Sequence, residues 1–518
     1  MAEKMVDREF LRLAGKTPMS TVAATERPAA SLIPKQTLYE KLTGIVGILQ
    51  ILFTGAFRHY AVGPPSPSWP LLASTLVYLI RVNSVRTSRK NVAAPPKSRA
   101  QLVAVAQQKS LLDNLALKND AVPGAVVKEI EIPVRKRELP GLLNELSKQE
   151  SGDRTIGAEW TISDSLLKSA GSAYQEPRAK VVLFLHGGAH IRLSPRTHRR
   201  TVAAISRELK CRVLSVDYRL SPGVVFPAST LDSVAAYLYL TEELGIAASD
   251  IIVSGDSAGG NLCLTLMQYL RDADLPQVGA AYLLSPWCDL STSFASWNYN
   301  TNSDYIAIDN EEDPYHAPYL YLSDVYPRTA ASRADYHEKK ASGYVSQALA
   351  PLEALKNLPP MLVHTGGLET LVDENITLVR RLRLADGKND VTHQLWTDGV
   401  HVFQALQDRR SGASAFREAG KWYARLLSSE GAEKNNAGWT TKVDELLEAE
   451  KTARVARAGP IKPVKPADPT WKFVRSVERL QDPACKSDAH EMARKAADEA
   501  ARVTGAKAEA EVFRPVRA

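Results

Sequence analysis

Ser257 stands at the centre of Gly255-Asp256-Ser257-Ala258-Gly259, a G-x-S-x-G pentapeptide between the apolar run 251–253 and a stretch of helical periodicity that begins near Gly259. A strand, a sharp turn and a helix in that order lift a serine hydroxyl clear of a sheet edge, and small flanking residues let the backbone turn without clashes. Alone the pattern is weak: with 29 glycines in 518 residues, about one chain in ten of this composition would carry it by chance. A nucleophilic serine needs a base to take its proton, an acid to hold that base, and amide donors for a developing oxyanion. Each can be sought at a neighbouring strand end. His186, Gly187, Gly188 and Ala189 follow directly on the apolar run 181–185. Two adjacent glycines permit the unusual backbone of an oxyanion loop, so the amides of Gly187, Gly188 and Ala189, with that of Ala258, are the candidate donors.

The candidate base is His401 in Gly399-Val400-His401-Val402-Phe403, a loop after the last predicted strand and before a helix. Its place also fits the order serine, carboxylate, histidine that is expected of a hydrolase architecture with this pentapeptide. His364 and His393 fall within or at the start of strands and read as packed or surface residues, while His190, His316 and His337 are left as possible substrate contacts. For the carboxylate, Gly366-Gly367-Leu368-Glu369-Thr370-Leu371-Val372-Asp373-Glu374 offers three acids after the run 361–365. Glu369 comes first after the turn, where a carboxylate projects from the sheet edge. Asp373 is the alternative acid, although it and Glu374 already belong to the next helix, where an acid suits the N-terminal dipole.

The elements that must position these residues are legible as apolar runs of strand length separated by helical periodicities. Strands are expected at 126–134, 159–162, 181–186, 212–217, 251–254, 280–285, 361–365 and 391–395, with helices near 201–209, 229–240, 259–271 and 371–384. Such alternation specifies an α/β fold, a mostly parallel sheet with helices on both faces. Between about residues 288 and 344 lies an irregular insertion rich in aromatics, Phe294, Trp297, Tyr299, Tyr305, Tyr319 and Tyr326 among them. Long irregular segments inside compact domains tend to be lids or binding loops, so a cap is expected.

Three regions follow: 1–100 with apolar segments, a catalytic domain over 101–430, and a basic Ala/Lys/Glu-rich tail over 431–518 expected to be partly disordered. The net charge of +7 is mild for 518 residues, and with no aromatic-basic repeat it reads as solvated basic ends, so no nucleic-acid partner is expected. The four cysteines show neither metal-ligand spacing nor disulfide density and are expected as free, mostly buried thiols. No secretory signal is visible at the start. Residues 42–57 and 61–80 are uncharged, yet the first stretch is short and the second is broken by Pro64, Pro65, Pro67 and Pro70. One marginal anchor, a hairpin dipping into one leaflet and two helices covering the enzyme all remain open, and membrane association is expected. Basic residues on both sides choose no orientation.

Taken together, His186-Gly187-Gly188, Asp217-Tyr218-Arg219-Leu220-Ser221-Pro222, Phe226-Pro227-Ala228, Gly255-Asp256-Ser257-Ala258-Gly259-Gly260-Asn261 and Leu284-Ser285-Pro286-Trp287 resemble the hormone-sensitive-lipase-like family of α/β-hydrolases. That family includes short-chain esterases, arylacetamide deacetylases and fungal sterol deacetylases, and the likeness covers about residues 120–425. It implies the α/β-hydrolase fold with a helical or irregular cap, Ser257 as nucleophile, His401 as base, and no cofactor or metal. The family usually has Asp-Pro where this chain has Glu369-Thr370, and often a third glycine where it has Ala189. The implied reaction is hydrolysis of a short acyl ester of a bulky apolar alcohol, a steryl acetate being one candidate, within a pocket to which His190, Trp297 and Tyr305 are assigned. A lipase acting on longer chains, an acyltransferase and a non-catalytic receptor are the alternatives. Receptors on this fold lose the histidine that His401 retains. The apolar N-terminal segments, which the likeness does not cover beyond a loose similarity to membrane-anchored members, put the expected site of action at a membrane, with the endoplasmic reticulum as candidate compartment. A sequon, Asn375-Ile376-Thr377, has meaning only if the catalytic domain is lumenal.

Overall fold

The computed structural model describes residues 38–93, 98–106, 122–167, 180–306, 310–325, 328–386, 389–406 and 409–428. The tail 431–518, the first 37 residues, Tyr326 and Cys485 lie outside them. The chain divides after Arg425, and of the second unit only residues 426–428 are described.

Eight strands build one sheet: β1 (Ala125–Pro133), β2 (Thr155–Ser163), β3 (Val181–Leu185), β4 (Arg212–Val216), β5 (Ile251–Asp256), β6 (Ala280–Leu284), β7 (Met361–Gly366) and β8 (Val391–Trp396). Their order is β1-β2-β4-β3-β5-β6-β7-β8. The pairings β1/β2 and β2/β4 are antiparallel, and from β4 to β8 every pairing is parallel. Parallel strands covered on both faces must be apolar throughout, and β3, with its Val-Val-Leu-Phe-Leu sequence, is buried at every position. β1, at the edge, mixes buried, half-buried and exposed positions instead.

The helices include α1 (Leu38–Ala61), α2 (Leu71–Ala93), α3 (Pro195–Leu209), α4 (Ala228–Leu238), α5 (Ala258–Asp272) and α6 (Val372–Ala385). Local signals set several boundaries. Ser194 and Thr197 form a reciprocal capping box with Pro195 at the first helical position, and Lys210 closes α3 in the left-handed region at φ 54°. The expected strands and helices are all present, most of them one or two residues longer or shorter. α3 starts six residues before its periodicity, because its first turn is basic and polar and carries no apolar signal.

The two uncharged N-terminal stretches form α1 and α2, which fold back on each other with Gly55 against Thr75 and Tyr78. The four prolines fall in the loop between them, residues 62–70. α2 runs on past the uncharged stretch through Arg81, Arg86, Arg89 and Lys90. Among the described residues, no helix is long and apolar enough to cross a membrane. The insertion contains short helices Ser296–Tyr299, Ala317–Leu322 and Ala330–Lys340. Its aromatics build a second core, in which Trp297, Tyr319, Tyr321 and Tyr336 join Trp287 and Ala258, the residue after Ser257. Cys211, Cys263 and Cys288 are buried free thiols.

Candidate active site

Ser257 lies between β5 and α5 with φ 53° and ψ −121°, a conformation that costs an L-residue energy and that only surrounding structure can hold. Its N–H donates to Leu284 O at 2.9 Å and its carbonyl accepts from Trp287 N at 3.0 Å, so the loop after β6 clamps the turn. The flanking glycines are required by close approach. A Cβ on Gly255 would lie 2.6 Å from Leu185 O, and one on Gly259 would collide with the same carbonyl. Ser257 itself is only half-buried, whereas both its neighbours are buried.

The structure brings Ser257, His401 and Glu369 into line from the ends of β5, β8 and β7. His401 Nε2 is 2.8 Å from Ser257 Oγ, and Nδ1 is 3.0 Å from Glu369 Oε2. The other carboxylate oxygen of Glu369 accepts the Gly366 amide at 3.2 Å. Asp373 is directed elsewhere: it accepts from Ser296 N at 2.9 Å and Tyr299 OH at 2.5 Å, fastening the insertion to the start of α6. Burial alone would lower the His401 pKa, but the hydrogen bond and charge of Glu369, with the charges of Asp304 and Asp256, hold it above its ordinary value. An imidazole so placed accepts a hydroxyl proton readily and keeps it against a carboxylate.

Asp304 carried no signal in the sequence, since it sits in an irregular polar segment without strand context. It is fully buried, and its carboxylate accepts from Thr370 N at 2.8 Å, Tyr305 N at 2.8 Å and His401 N at 3.3 Å. The insertion thus joins the acid and histidine loops. Ser285, just beyond β6, accepts the Val402 amide at 3.1 Å and restrains the histidine loop from the other side.

The loop after β3 assigns its amides unequally. Gly187 N–H is committed to Asp256 Oδ1 at 3.0 Å, which removes it from the candidate oxyanion donors. The reason is steric as well as polar: a Cβ at Gly187 would strike that carboxylate. Gly188 and Ala189 follow with φ 116° and 57°, a backbone that glycine adopts freely and that turns the chain away from β3. Of the amides expected as donors, those of Gly188, Ala189 and Ala258, the first residue of α5, remain as candidates. Asp256 also lies 3.2 Å from His198 Nε2. Although burial opposes its charge, His198 and the Gly187 amide keep its pKa below the usual carboxylate value.

Of the pocket residues expected from the sequence, Tyr305 reaches the triad, with its ring 5.9 Å from the His401 ring. His190 is stacked on Tyr321 at 3.8 Å. Trp297 is buried with its indole N–H given to Glu374 at 3.1 Å, so it braces the insertion. Among the described residues no group of His, Cys, Asp and Glu is arranged to hold a metal ion.

Residues 182–405 match the family described as alpha/beta hydrolase fold. An acetyl-hydrolase of Streptomyces hygroscopicus is 31% identical over 224 residues, 43% of this chain and 68% of that protein. The chain is a hormone-sensitive-lipase-like α/β-hydrolase. Other relatives of this hydrolase include the carboxylesterase/phospholipase LipF of Mycobacterium tuberculosis, 30% identical over 46% of this chain and 60% of its own length. Carboxylesterase NlhH of the same organism is 29% identical over 54% of this chain and 82% of its own. Among solved structures, an esterase from the bacterial hormone-sensitive lipase family is 27% identical, with a TM-score of 0.46 over 67% of this chain and 98% of that one. As a member of this class the hydrolase is a serine carboxylic-ester hydrolase. The family match begins at residue 182, well after α1 and α2.

Proposed function

We propose that this hydrolase cleaves short acyl esters of a bulky apolar alcohol, with Ser257 as nucleophile, His401 as general base and then acid, and Glu369 as the group that orients it. The observation that carries the reading is the unbroken line Glu369–His401–Ser257, for which the amides of Gly188, Ala189 and Ala258 are the proposed oxyanion donors. Ser257 Oγ attacks the ester carbonyl while His401 takes its proton. The oxyanion draws on the three amides, and the leaving alkoxide takes the proton back from His401. Water, deprotonated by the same histidine, then releases the acid and restores Ser257. The acetyl-hydrolase relative supports the short acyl chain, and Tyr305 with the aromatic insertion supports an apolar alcohol. An acyl-length series that includes steryl acetates, run on wild type and Ser257→Ala, tests this. Rates should be highest for acetyl to butyryl esters and fall at least about 10⁴-fold in the variant. Rates that climb toward long-chain glycerides would make the protein a lipase instead.

The reading includes association with lipid, the endoplasmic reticulum being the proposed setting. Val46, Leu49, Phe53, Phe57 and Tyr60 recur at every turn of α1 on one face, and Phe53 and Tyr60 are 75% and 76% exposed. Single exposed apolar residues are ordinary, but a continuous ridge requires a partner phase. Lys41, Arg58, Arg86, Arg89 and Lys90 accompany it in sequence against one acid, Glu40, which suits an anionic lipid surface. Flotation with phosphatidylserine vesicles should carry wild type upward and leave Phe53→Asp/Phe57→Asp behind.

A further inference from the structure

The loop between α1 and α2 closes on the segment that carries His401. Ser66 Oγ donates to Asp398 Oδ1 at 2.7 Å and Ser68 Oγ donates to Asp398 Oδ2 at 2.7 Å. Trp69 Nε1 donates to the Asp398 carbonyl at 2.8 Å. Side chain and backbone of one residue are therefore held by three donors from a single four-residue stretch. Asp398 lies three residues before His401. The grip continues in the apolar layer, where Trp69 and Val77 share a buried cluster with Val400 and Phe403, on either side of His401 in sequence. A fourth contact reaches the second loop that touches the histidine: Arg81 donates to Thr301 O at 2.9 Å and to Asn302 Oδ1 at 2.6 Å, two residues from Asp304.

A glycine precedes Val400, and a loop containing Gly399 has backbone freedom that something must remove. Within the catalytic domain that restraint comes from Asp304 and Ser285, which bind the amides of His401 and Val402, and from backbone bonds at Gly399, whose N–H donates to Trp396 O and whose carbonyl accepts from Leu368 N, each at 2.8 Å. None of these contacts is made with Asp398, where the α1–α2 loop takes hold. We propose that the α1–α2 loop is a positioning element of the active site, clasping Asp398 so that His401 stays in line between Glu369 and Ser257. The proposal rests on His401 serving as the base, and it adds to the machinery a segment that lies well before the first strand, which starts at Ala125.

The test uses the full chain and a small soluble p-nitrophenyl ester, which keeps lipid binding out of the measurement. Ser66→Ala/Ser68→Ala/Trp69→Phe removes all three donors and keeps an aromatic ring in the cluster. kcat should fall about 10- to 100-fold, the scale of a misplaced catalytic group, with KM within twofold. The rate at which a fluorophosphonate labels Ser257 should fall in parallel. Ser66→Thr/Ser68→Thr, which keeps both hydroxyls and the indole, should restore at least half of wild-type kcat. A triple variant whose kcat stays within twofold of wild type overturns the proposal. So does a loss of activity matched by loss of folded protein in circular dichroism, because the contacts would then hold the fold and not the loop. Failure of the functional reading itself shows separately, as ester hydrolysis that survives Ser257→Ala.

Discussion

Asp256 and Gly187 are joined by a 3.0 Å hydrogen bond from backbone amide to carboxylate, which ties the residue before the nucleophile to the loop expected to receive the oxyanion. The two halves of the chemistry are thus indexed to each other by one side chain. Asp256→Ala should lower kcat about 10- to 100-fold with little change in KM. Asp256→Asn, which keeps an acceptor for Gly187, should recover most of the loss in the same steady-state assay.

Glu369 and Asp373 sit four residues apart and have separate partners. Glu369→Gln should reduce kcat by about 10⁴-fold, since the amide favours the wrong histidine tautomer. Asp373→Asn should keep kcat within about tenfold but lower Tm, because the insertion loses its anchor at Ser296 and Tyr299. The pH profile separates them further. His401 must be neutral to act as base and its pKa is raised, so wild-type kcat/KM should fall with acidification from a midpoint above about 6.5. Without the Glu369 charge that midpoint should move down, and without Asp373 it should not.

His393 is buried and donates to or accepts from Thr365 Oγ1 at 2.9 Å. Burial pushes its pKa down to about 3. Between about pH 6.5 and 3 the unfolded chain therefore binds a proton at this residue that the folded chain refuses. Its contribution is intact above pH 6.5 and is lost on acidification, at up to about 1.4 kcal/mol per pH unit. Asp217, pushed up to about 6 by burial, works in the opposite direction over its own narrower window. A difference measurement isolates His393: urea unfolding of wild type and His393→Gln at pH 7 and pH 5 should show the variant gaining relative stability at the lower pH.

The sequon asparagine, Asn375, is fully buried in α6 and its amide donates to Leu371 O at 2.7 Å. Protein routed through a secretory pathway should carry no glycan at this position, as shown by an unchanged mass after endoglycosidase treatment. Asn375→Ala should cost about 1–3 kcal/mol in denaturant unfolding, by removing a buried donor from its acceptor.

The strand ends were readable because chemistry and periodicity coincide there. Ser257, His401 and Glu369 each follow an apolar run, so their proximity in space could be anticipated from their places in the sequence. Asp304 could not, because it reaches His401 from an irregular segment with no period to follow. Gly187 shows the opposite error: the loop motif marks three amides alike, and only the position of the Asp256 carboxylate distinguishes them. The clasp on Asp398 was hidden for a different reason. Ser66, Ser68 and Trp69 lie among prolines that read as an interruption, and a contact spanning more than 300 residues leaves no trace in local spacing.

The backbone at Ser257 is held where glycine would rest more comfortably, at a cost of about 1–3 kcal/mol. Folding and turnover therefore place conflicting demands on this one position. Ser257→Gly should melt at a higher temperature than the active protein while turning over nothing, so a selection for thermal resilience alone would drive this chain toward silence at its own active site.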